Sequence, residues 1–348
     1  MSTAKILAIV NQFRAQLLAK EEQAEATLNH MHAHTLAAIQ PQLNKLYEQM
    51  AQKMENGEQI PASWVYQRLR LENTQLLIQQ QIDTFSANAL QVTRMNQHLG
   101  SQWGLQSGMQ QLNATIPSGV SYSFGIPSIN SLVGVTQAGS PLSNLFNQWG
   151  KEAATKVAQA LVTGITLGNN PRVVAKSVQD ALGISRNRAL VISRQEMLRC
   201  SKSANLLTYR QNSDVVGQWR WVAAKQGRTC AMCIAMDGTL HDLDEEFESH
   251  VQCRCAPVPV TKSWSNILGP LGIDTSGIQE TTYVPAQTGI EWFNDQSAAM
   301  QQQILGSKAA YDLFKSGQVA LSDFIGTDYD EQWGGSRYVK SVKELVGK

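Results

Sequence analysis

The sequence predicts an α+β fold that is predominantly α-helical. Three observations lead to this expectation. Apolar residues follow helical spacings through the first hundred residues, helical patterning resumes after residue 141, and only the region near residues 218–260 takes the period of β-strands. We expect an N-terminal helical hairpin, central helices with a small antiparallel sheet clipped by cysteine and histidine, and a short helical C-terminal tail.

Length and composition exclude several classes of protein. The chain has 348 residues, a net charge of +1 and only 16% charged residues. This length suggests two or three domains, and the near-neutral charge argues against a protein that is basic on every face. No apolar run approaches the ~20 residues that span a bilayer, and the N-terminus lacks a signal-peptide pattern. We therefore expect no membrane contact and a reducing compartment.

Residues 1–98 are assigned to the helical hairpin. Its first helix, over residues 3–55, has apolar residues at alternating spacings of three and four, which is a coiled-coil-like seam. The seam residues are Leu36, Ile39, Leu43, Leu46 and Met50. Asn56, Gly57 and Pro61 interrupt the pattern, and a second helix is expected from about residue 62 to 98. Because a two-helix hairpin buries little surface, we expect a partner to complete its core.

Three histidines alternate inside the first helix, at positions His30, His32 and His34. Alternate positions spread around a helix that has 3.6 residues per turn. We therefore expect solvated side chains there rather than a shared metal ion.

Residues 99–141 are assigned to an uncharged arm. From Met95 to Gly150 the chain has no Asp, Glu, Lys or Arg, and this stretch holds 8 glycines, 9 serines and 3 prolines. Such a composition excludes one continuous helix. The apolar residues among the turn formers leave two interpretations open: a flexible spacer, or an extended arm that lies in a groove of a partner.

Residues 142–262 are assigned to a central domain that begins with helices. Pro141 opens a helix that runs to about Gly164, and Pro171 opens a second one that stops at Gly183. Ser185 is placed to cap a third helix, from about residue 186 to 209.

The second part of this domain takes the alternating period of strands, at about residues 218–223, 238–243 and 255–260. Trp219 and Trp221 would share one face of the first strand, because successive strand residues point to opposite faces. Pro257 and Pro259 place the third strand at an edge. Residues 263–285 are expected to form a linker, and residues 286–348 the helical tail.

Four of the five cysteines lie within 26 positions. Cys230 and Cys233 form a Cys-x-x-Cys pair, and His250, Cys253 and Cys255 supply a second half-site. A zinc ion held by the first pair and by two of the other three has its four tetrahedral ligands. No position is left open for substrate, so the predicted cofactor is a structural zinc.

Two other interpretations of the cysteines remain open, namely reduced buried thiols and a disulfide. Cys200 stands apart on a helix and is expected to be a packing residue. A zinc deaminase is not expected, because Thr229 stands where those enzymes have proline and no His-x-Glu precedes it. Without a nucleophile elbow or phosphate loop, we predict no catalytic residues and no enzymatic activity.

Residues 172–228 carry 11 basic and 3 acidic residues. Basic helices beside a zinc module are typical of nucleic-acid binding. The weak candidates for phosphate contact are Arg186, Arg188, Arg194, Arg199 and Lys202. Alternatively, these residues line a solvated helix face or pair with the acidic run at residues 242–248.

Over about residues 145–262, the sequence resembles the phage Mu F-like minor head proteins, also called the phage head morphogenesis family. The resemblance is carried by Gly168-x-x-Pro171, Arg194-Gln195-Glu196, Tyr209-Arg210, Trp219-x-Trp221, Arg228-Thr-Cys-x-x-Cys233, Asp237-Gly238 and His250-x-x-Cys-Arg-Cys255. The family usually has Arg-Thr-Glu where this chain has Gln195 at the middle position. The tail is similar to the helical tail of many minor head proteins.

The resemblance implies a minor capsid protein of a tailed bacteriophage that acts in head assembly at or near the portal vertex. The implied partners are the portal protein and the major capsid or scaffold protein, with packaged DNA and self-association as further candidates. The implied location is the virion, in the head interior or at the portal vertex, with the host cytoplasm during assembly. The alternative is a zinc-containing nucleic-acid-binding protein.

Overall fold

The structure, a computed structural model, describes residues 2–58, 61, 63–64, 67, 74–167, 171–278 and 283–347. It is predominantly helical with small antiparallel sheets, as the sequence predicts. The long helices are α1 (Ser2–Glu55), α2 (Thr74–Thr115), α3 (Leu142–Thr166) and α4 (Pro171–Gln211). Among the described residues, none of the helices combines the length and the apolar character that a membrane span requires.

Shorter elements follow α4. They are β1 (Val216–Val222), α5 (Ala231–Met236), β2 (Leu240–Asp242), β3 (Ala256–Thr261), α6 (Trp264–Leu268), α7 (Gly289–Asn294), α8 (Ala298–Leu305), α9 (Lys308–Lys315), β4 (Ile325–Asp330), β5 (Gly334–Val339) and α10 (Val342–Leu345). Strands β2, β1 and β3 form one antiparallel sheet in that order, and β4 pairs with β5 in a hairpin.

The chain forms two compact units, each built from separate segments. The sheet unit consists of residues 1–18, 97–140 and 195–348, and the helical unit of residues 19–96 and 141–194. The five-part division expected from the sequence stays a prediction. Each unit is described by itself below.

The helical unit completes the seam of α1 from within the chain. Leu43 is 3% exposed and belongs to an apolar cluster that includes Ile82 of α2, Val157 of α3 and Val178 of α4. The expectation that a partner must cover this seam is therefore wrong: α3 and α4 supply the surface that the two helices alone lack. The side chain of Leu46 lies outside the described residues.

Helix α1 ends where the sequence predicts. Gly57 has a φ of 71°, a left-handed conformation that glycine adopts without steric cost. Its N–H donates to Met54 at 3.0 Å, and the N–H of Glu58 donates to Lys53 at 3.0 Å. These two bonds satisfy the last free carbonyls of the helix in a Schellman motif.

Helix α4 continues through Gly183, although the sequence led us to expect a stop there and a new cap at Ser185. A glycine inside a helix costs about 1 kcal/mol relative to alanine. Buried residues lie on both sides of it, with Leu182 at 3% and Ala189 at 0% exposure. Their burial outweighs the glycine penalty, so the two predicted helices form one.

In the sheet unit, α2 runs to Thr115, 17 positions beyond the predicted end at residue 98. A Cβ placed on Gly100 would lie 2.3 Å from the carbonyl oxygen of Met197, and one on Gly104 would lie 2.1 Å from that of Ser201. Glycine therefore allows the backbones of α2 and α4 to touch, as small residues spaced by four allow in other helix pairs. The glycines that argued against a helix instead form its contact face.

The rest of the predicted arm, residues 116–141, packs against its own chain. Phe124 is 8% exposed within the main apolar cluster of the sheet unit. Asn212 holds the backbone of Gly125 from both sides, accepting from its N–H at 2.7 Å and donating to its carbonyl at 2.9 Å. Neither a flexible spacer nor an arm in the groove of a partner describes this segment, because its groove lies within the sheet unit.

The first turns of α1 also belong to the sheet unit. Ile6, Val10 and Phe13 are almost fully buried in a cluster that contains Val258 of β3 and Tyr283. Helix α1 and strand β3 are far apart in sequence. The first turns of α1 therefore complete a core to which β3 contributes.

In the central sheet, the two tryptophans of β1 share one face, as the sequence predicts. Trp219 and Trp221 are 1% and 0% exposed on one face of β1. In the antiparallel register, Trp219 lies opposite Pro259 and Trp221 opposite Pro257. The prolines of β3 lie at the edge of the sheet, where a missing N–H costs no ladder bond.

The C-terminal part differs from the predicted linker and helical tail in two ways. Trp264, at the start of α6, is 0% exposed, so residues 264–268 belong to the core rather than to a solvated linker. After α9, the chain forms the hairpin β4–β5, with Thr327 opposite Arg337. Residues 279–282 of the predicted linker lie outside the described residues.

Candidate metal centre

The first half-site lies at the start of helix α5. Cys230 is the residue that precedes the helix, and Cys233 lies one turn later, at 1% exposure. The N–H of Ile234 donates to the carbonyl of Cys230 at 3.1 Å, which closes the first turn. The Cys-x-x-Cys spacing thus places both sulfurs at the same end of a short helix.

The second half-site lies in the loop that leads into β3. Cys253 and Cys255 are 1% and 3% exposed, while His250 is half-buried. Nδ1 of His250 lies 2.8 Å from the carbonyl oxygen of Val251. A carbonyl oxygen can only accept a hydrogen bond, so Nδ1 carries the proton. The lone pair of Nε2 is then available to bind a metal ion.

The structure brings all five predicted metal ligands together, in two groups that share Cys233. One group is Cys230, Cys233 and His250, and the other is Cys233, Cys253 and Cys255. Within each group the ligand atoms lie within 4.8 Å of one another. These groups could hold a metal ion.

Two distances compare well with a tetrahedral zinc site. Sγ of Cys233 lies 3.6 Å from Sγ of Cys253 and 3.2 Å from Nε2 of His250. Two sulfurs bound at ~2.3 Å at a tetrahedral angle lie ~3.8 Å apart, and a sulfur and an imidazole nitrogen lie ~3.5 Å apart. The same 3.6 Å is far longer than the ~2.05 Å of a disulfide, and all five cysteines are free.

The protons of the cluster are unevenly shared. A hydrogen bond with Cys233 lowers the pKa of Cys230 to about 5. Burial opposes the charged form of His250, yet hydrogen bonds with Cys230 and Cys253 raise the pKa of His250 to about 10. The bond with Cys230 raises the pKa of Cys233, and burial raises that of Cys255. The thiols of the cluster thus differ in how readily they lose their protons, and a metal ion bound there would displace those that remain.

Three side chains clamp the loop of the second half-site. Gln195 of α4 accepts from the N–H of Gln252 at 2.7 Å, where Gln252 has the unusual φ of 62°. Lys202 of α4 donates to the carbonyl of Cys253 at 2.8 Å, and Nε of Arg14 of α1 donates to that of Arg254 at 2.9 Å. Sequence reasoning missed the roles of Arg14 and Gln195, because nothing local marks a residue that binds a distant carbonyl.

Arg14 and Lys202 are also buried cations. They are 8% and 7% exposed, and in the described part of the chain neither forms an ion pair with a carboxylate. Nη2 of Arg14 is buried without a hydrogen-bond partner. Buried lysine and arginine are rare unless a counter-charge is near. The nearby thiols supply that charge when they are ionised, and a bound metal ion would keep its thiol ligands ionised.

Two of the five predicted phosphate contacts are buried, and each of the five has a partner within its own unit. Arg199 is 8% exposed and pairs with Glu196 at 2.8 Å, and Lys202 is committed to the cysteine loop. In the helical unit, Arg188 pairs with Glu152 and Arg194 with Glu21, both at 3.0 Å, while Arg186 contacts the side chain of Asn187. Arg199 and Lys202 are thus incorrectly placed in the prediction, because their charges point into the fold.

Arg199 and Glu196 instead anchor the loop at residues 130–136. Arg199 donates to the carbonyl of Val135 at 2.7 Å, and Gln97 donates both to Val135 at 2.9 Å and to Glu196 at 2.6 Å. Burial raises the pKa of the neighbouring Cys200 to about 12, which keeps it a thiol, as expected of a packing residue.

A hydrogen-bonded row at β2 has the order hydroxyl, imidazole and carboxylate. His241 lies 2.8 Å from Oγ1 of Thr239 and 2.9 Å from Oε2 of Glu245, and it stacks on Trp219 with ring centroids 4.1 Å apart. However, Oγ1 of Thr239 donates its proton to the carbonyl of Met236 at 2.7 Å. The row therefore holds the turn before β2 and offers no activated nucleophile.

These features define a predominantly helical protein with a small sheet whose two cysteine half-sites could hold a metal ion. Residues 155–258 match the family model described as Phage Mu protein F like protein. The match confirms, over that segment, the resemblance to the Mu F-like phage head morphogenesis proteins. The comparison with curated proteins found no match, and neither did the comparison with solved structures.

Proposed function

We propose that this protein is a non-enzymatic minor head protein of a tailed bacteriophage, which acts in head assembly at or near the portal vertex. The observation that carries the proposal is the family match over residues 155–258. The motif residues inside it form internal contacts: Gln195 and Glu196 anchor loops, and Trp219 and Trp221 fill the core. A segment whose motif residues serve its own packing suits a structural part of an assembly.

The proposed partners are the portal protein and the major capsid or scaffold protein. Mass spectrometry of purified particles, with quantification of this chain against the portal protein, tests the placement. We expect a few copies per portal, and cross-links to the portal in intact heads. Absence from particles, or a copy number near that of the major capsid protein, would overturn the proposal.

The alternative of a zinc-containing nucleic-acid-binding protein has less support. Its basic helix loses two of five cations to the interior, since Arg199 and Lys202 are buried. Phosphate contacts by several cations make affinity fall steeply with salt. We expect DNA binding by the purified chain to be weak and insensitive to exchange of Arg186 for Gln, measured by fluorescence anisotropy at two salt concentrations.

We further propose that the cysteine cluster holds one structural zinc ion. Its thiol-rich donor set suits zinc, and the buried charges of Arg14 and Lys202 favour an anionic centre beside them. Metal analysis of freshly purified, reduced protein tests this, with about one zinc per chain as the expected result. Metal-free protein whose melting is unchanged by a chelator would overturn it.

A further inference from the structure

Two histidines on α1 form a pair that the alternating sequence pattern conceals. His30 and His34 are four residues apart, so they share one face of the helix. Both side chains are exposed, and their Nε2 atoms lie 3.3 Å apart. Their ring centroids are 4.5 Å apart, with an angle of 71° between the planes.

His32, between them, has a different environment. It is 8% exposed and contacts the ring edge of Phe85, with centroids 5.9 Å apart. The sequence led us to expect three solvated side chains spread around the helix. His30 and His34 are exposed but share one face, because they are four residues apart, whereas His32 lies on another face and is buried rather than solvated.

The geometry of the pair suits one metal ion. Imidazole nitrogens bind zinc at ~2.0–2.1 Å, so two of them on one ion lie ~2.9 Å apart at a right angle and ~3.4 Å apart at a tetrahedral angle. The observed 3.3 Å falls within this range without movement of the helix. Two histidines at this spacing on one helix face are also how helical zinc motifs present their ligands.

We propose that His30 and His34 form a surface site for a divalent transition-metal ion, bound through two imidazole nitrogens. Imidazole ligands favour nickel, copper and zinc over magnesium and calcium, which prefer oxygen. The remaining coordination positions face solvent. The site is independent of the cysteine cluster, because it uses other residues, in the helical unit, and neutral nitrogen ligands rather than thiolates.

Isothermal titration of nickel chloride into the zinc-loaded, full-length chain tests the site. We expect one nickel site in the native protein, and a loss of affinity of at least about tenfold in His30→Ala and in His34→Ala, since even indirect supports of metal ligands typically contribute 10–100-fold. Both positions are exposed, so the variants should melt like the native chain and retain their zinc.

Two controls isolate the spacing. His98→Ala removes an exposed histidine of α2 and should leave nickel binding unchanged. His34→Ala combined with Ala37→His keeps the number of histidines but moves one imidazole about 10.5 Å along the axis from His30, since each residue rises ~1.5 Å. This variant should bind as weakly as His34→Ala. Equal binding by native chain and His34→Ala, or native-like binding by the shifted variant, would overturn the proposal.

Discussion

Two groups of buried charge in the sheet unit are neutralised in different ways. Beneath the loop at residues 130–136, Arg199 pairs with Glu196 at 2.8 Å, and both side chains are almost fully buried. Beside the cysteine loop, Arg14 and Lys202 are similarly buried, but their partners are neutral: backbone carbonyls at 2.9 and 2.8 Å, and the side chains of Asn11 and Ser249. The first group contains both a cation and an anion and is neutral by itself. The second contains two cations, so its negative charge has to come from the neighbouring cysteines.

This difference indicates how each region responds to its surroundings. A buried ion pair depends only on the fold, because both charges belong to the protein. A cation without a carboxylate depends on the charge of the neighbouring thiols, and a bound metal ion would hold its thiol ligands in the ionised form. The stability of the cysteine region should therefore vary with metal, and that of the Arg199 region should not.

The largest expected effect comes from Cys233→Ser, which removes the ligand shared by both groups. Structural zinc binding contributes directly to folding, with apparent values of about 10–16 kcal/mol in zinc-finger peptides. We expect loss of zinc and a fall of several kcal/mol in the free energy of unfolding, measured by metal analysis and denaturant titration. Cys200→Ala is the matched control, since it removes a buried thiol outside the cluster and should retain the zinc.

The next largest effect concerns the buried ion pair of Arg199 and Glu196. Glu196→Gln leaves Arg199 buried without its carboxylate, which should lower the free energy of unfolding by about 3–5 kcal/mol. Adding Arg199→Met should recover part of the loss, because the double variant buries no unpaired charge. The difference in melting temperature between Glu196→Gln and the native chain should be the same with and without chelator. A difference that changes with chelator would show that the Arg199 region also depends on metal.

A smaller effect is expected from the cations beside the cysteines. Lys202→Met and Arg14→Met each remove one compensating charge from an anionic metal centre. We expect zinc affinity to fall about 10–100-fold, the usual range for residues that support metal ligands. Competition with a chromogenic chelator measures this, with Arg186→Met as the control. A variant that binds zinc as tightly as the native chain would show that the cations serve only the backbone of the loop.

The smallest effect comes from overpacking the contact between α2 and α4, which adjoins both groups of buried charge. Met197 and Ser201, which Gly100 and Gly104 contact, lie on the same turns of α4 as Arg199 and Lys202. Gly104→Ala inserts a methyl group 2.1 Å from a carbonyl oxygen and should cost about 1–3 kcal/mol as overpacking. Gly183→Ala in α4 meets nothing within 4 Å and should instead stabilise by up to about 1 kcal/mol. Denaturant midpoints of the two variants should move in opposite directions.

Local patterns predicted local structure well. The apolar spacing predicted that α1 is a helix, and Gly57 predicted where it ends. The alternation of Trp219 and Trp221 predicted the buried face of β1. The Cys-x-x-Cys and His-x-x-Cys-x-Cys spacings also selected the five donors that the structure brings together. In each case the cause lies within a few residues of the effect.

Features that depend on contacts between distant segments were not predictable in this way. Gly104 reads as a helix breaker until the backbone of Ser201 is known to touch it. Arg199 and Lys202 read as solvated cations, because a sequence shows charge but not the carbonyls of Val135 and Cys253 that receive it. The uncharged stretch resembled a spacer for the same reason: it packs against residues distant in sequence, such as Asn212, which lies 87 positions after Gly125.

The burial of Ile6, Val10 and Phe13 against Val258 has a consequence for synthesis of the chain. Val258 follows Phe13 by 245 positions, so at 5–20 residues per second a ribosome needs roughly 12–50 s to supply it. During that interval an apolar helix face leaves the ribosome before the strand that covers it exists. Nascent chains of this protein should therefore be clients of holding chaperones, and release from them should await translation of the cysteine loop.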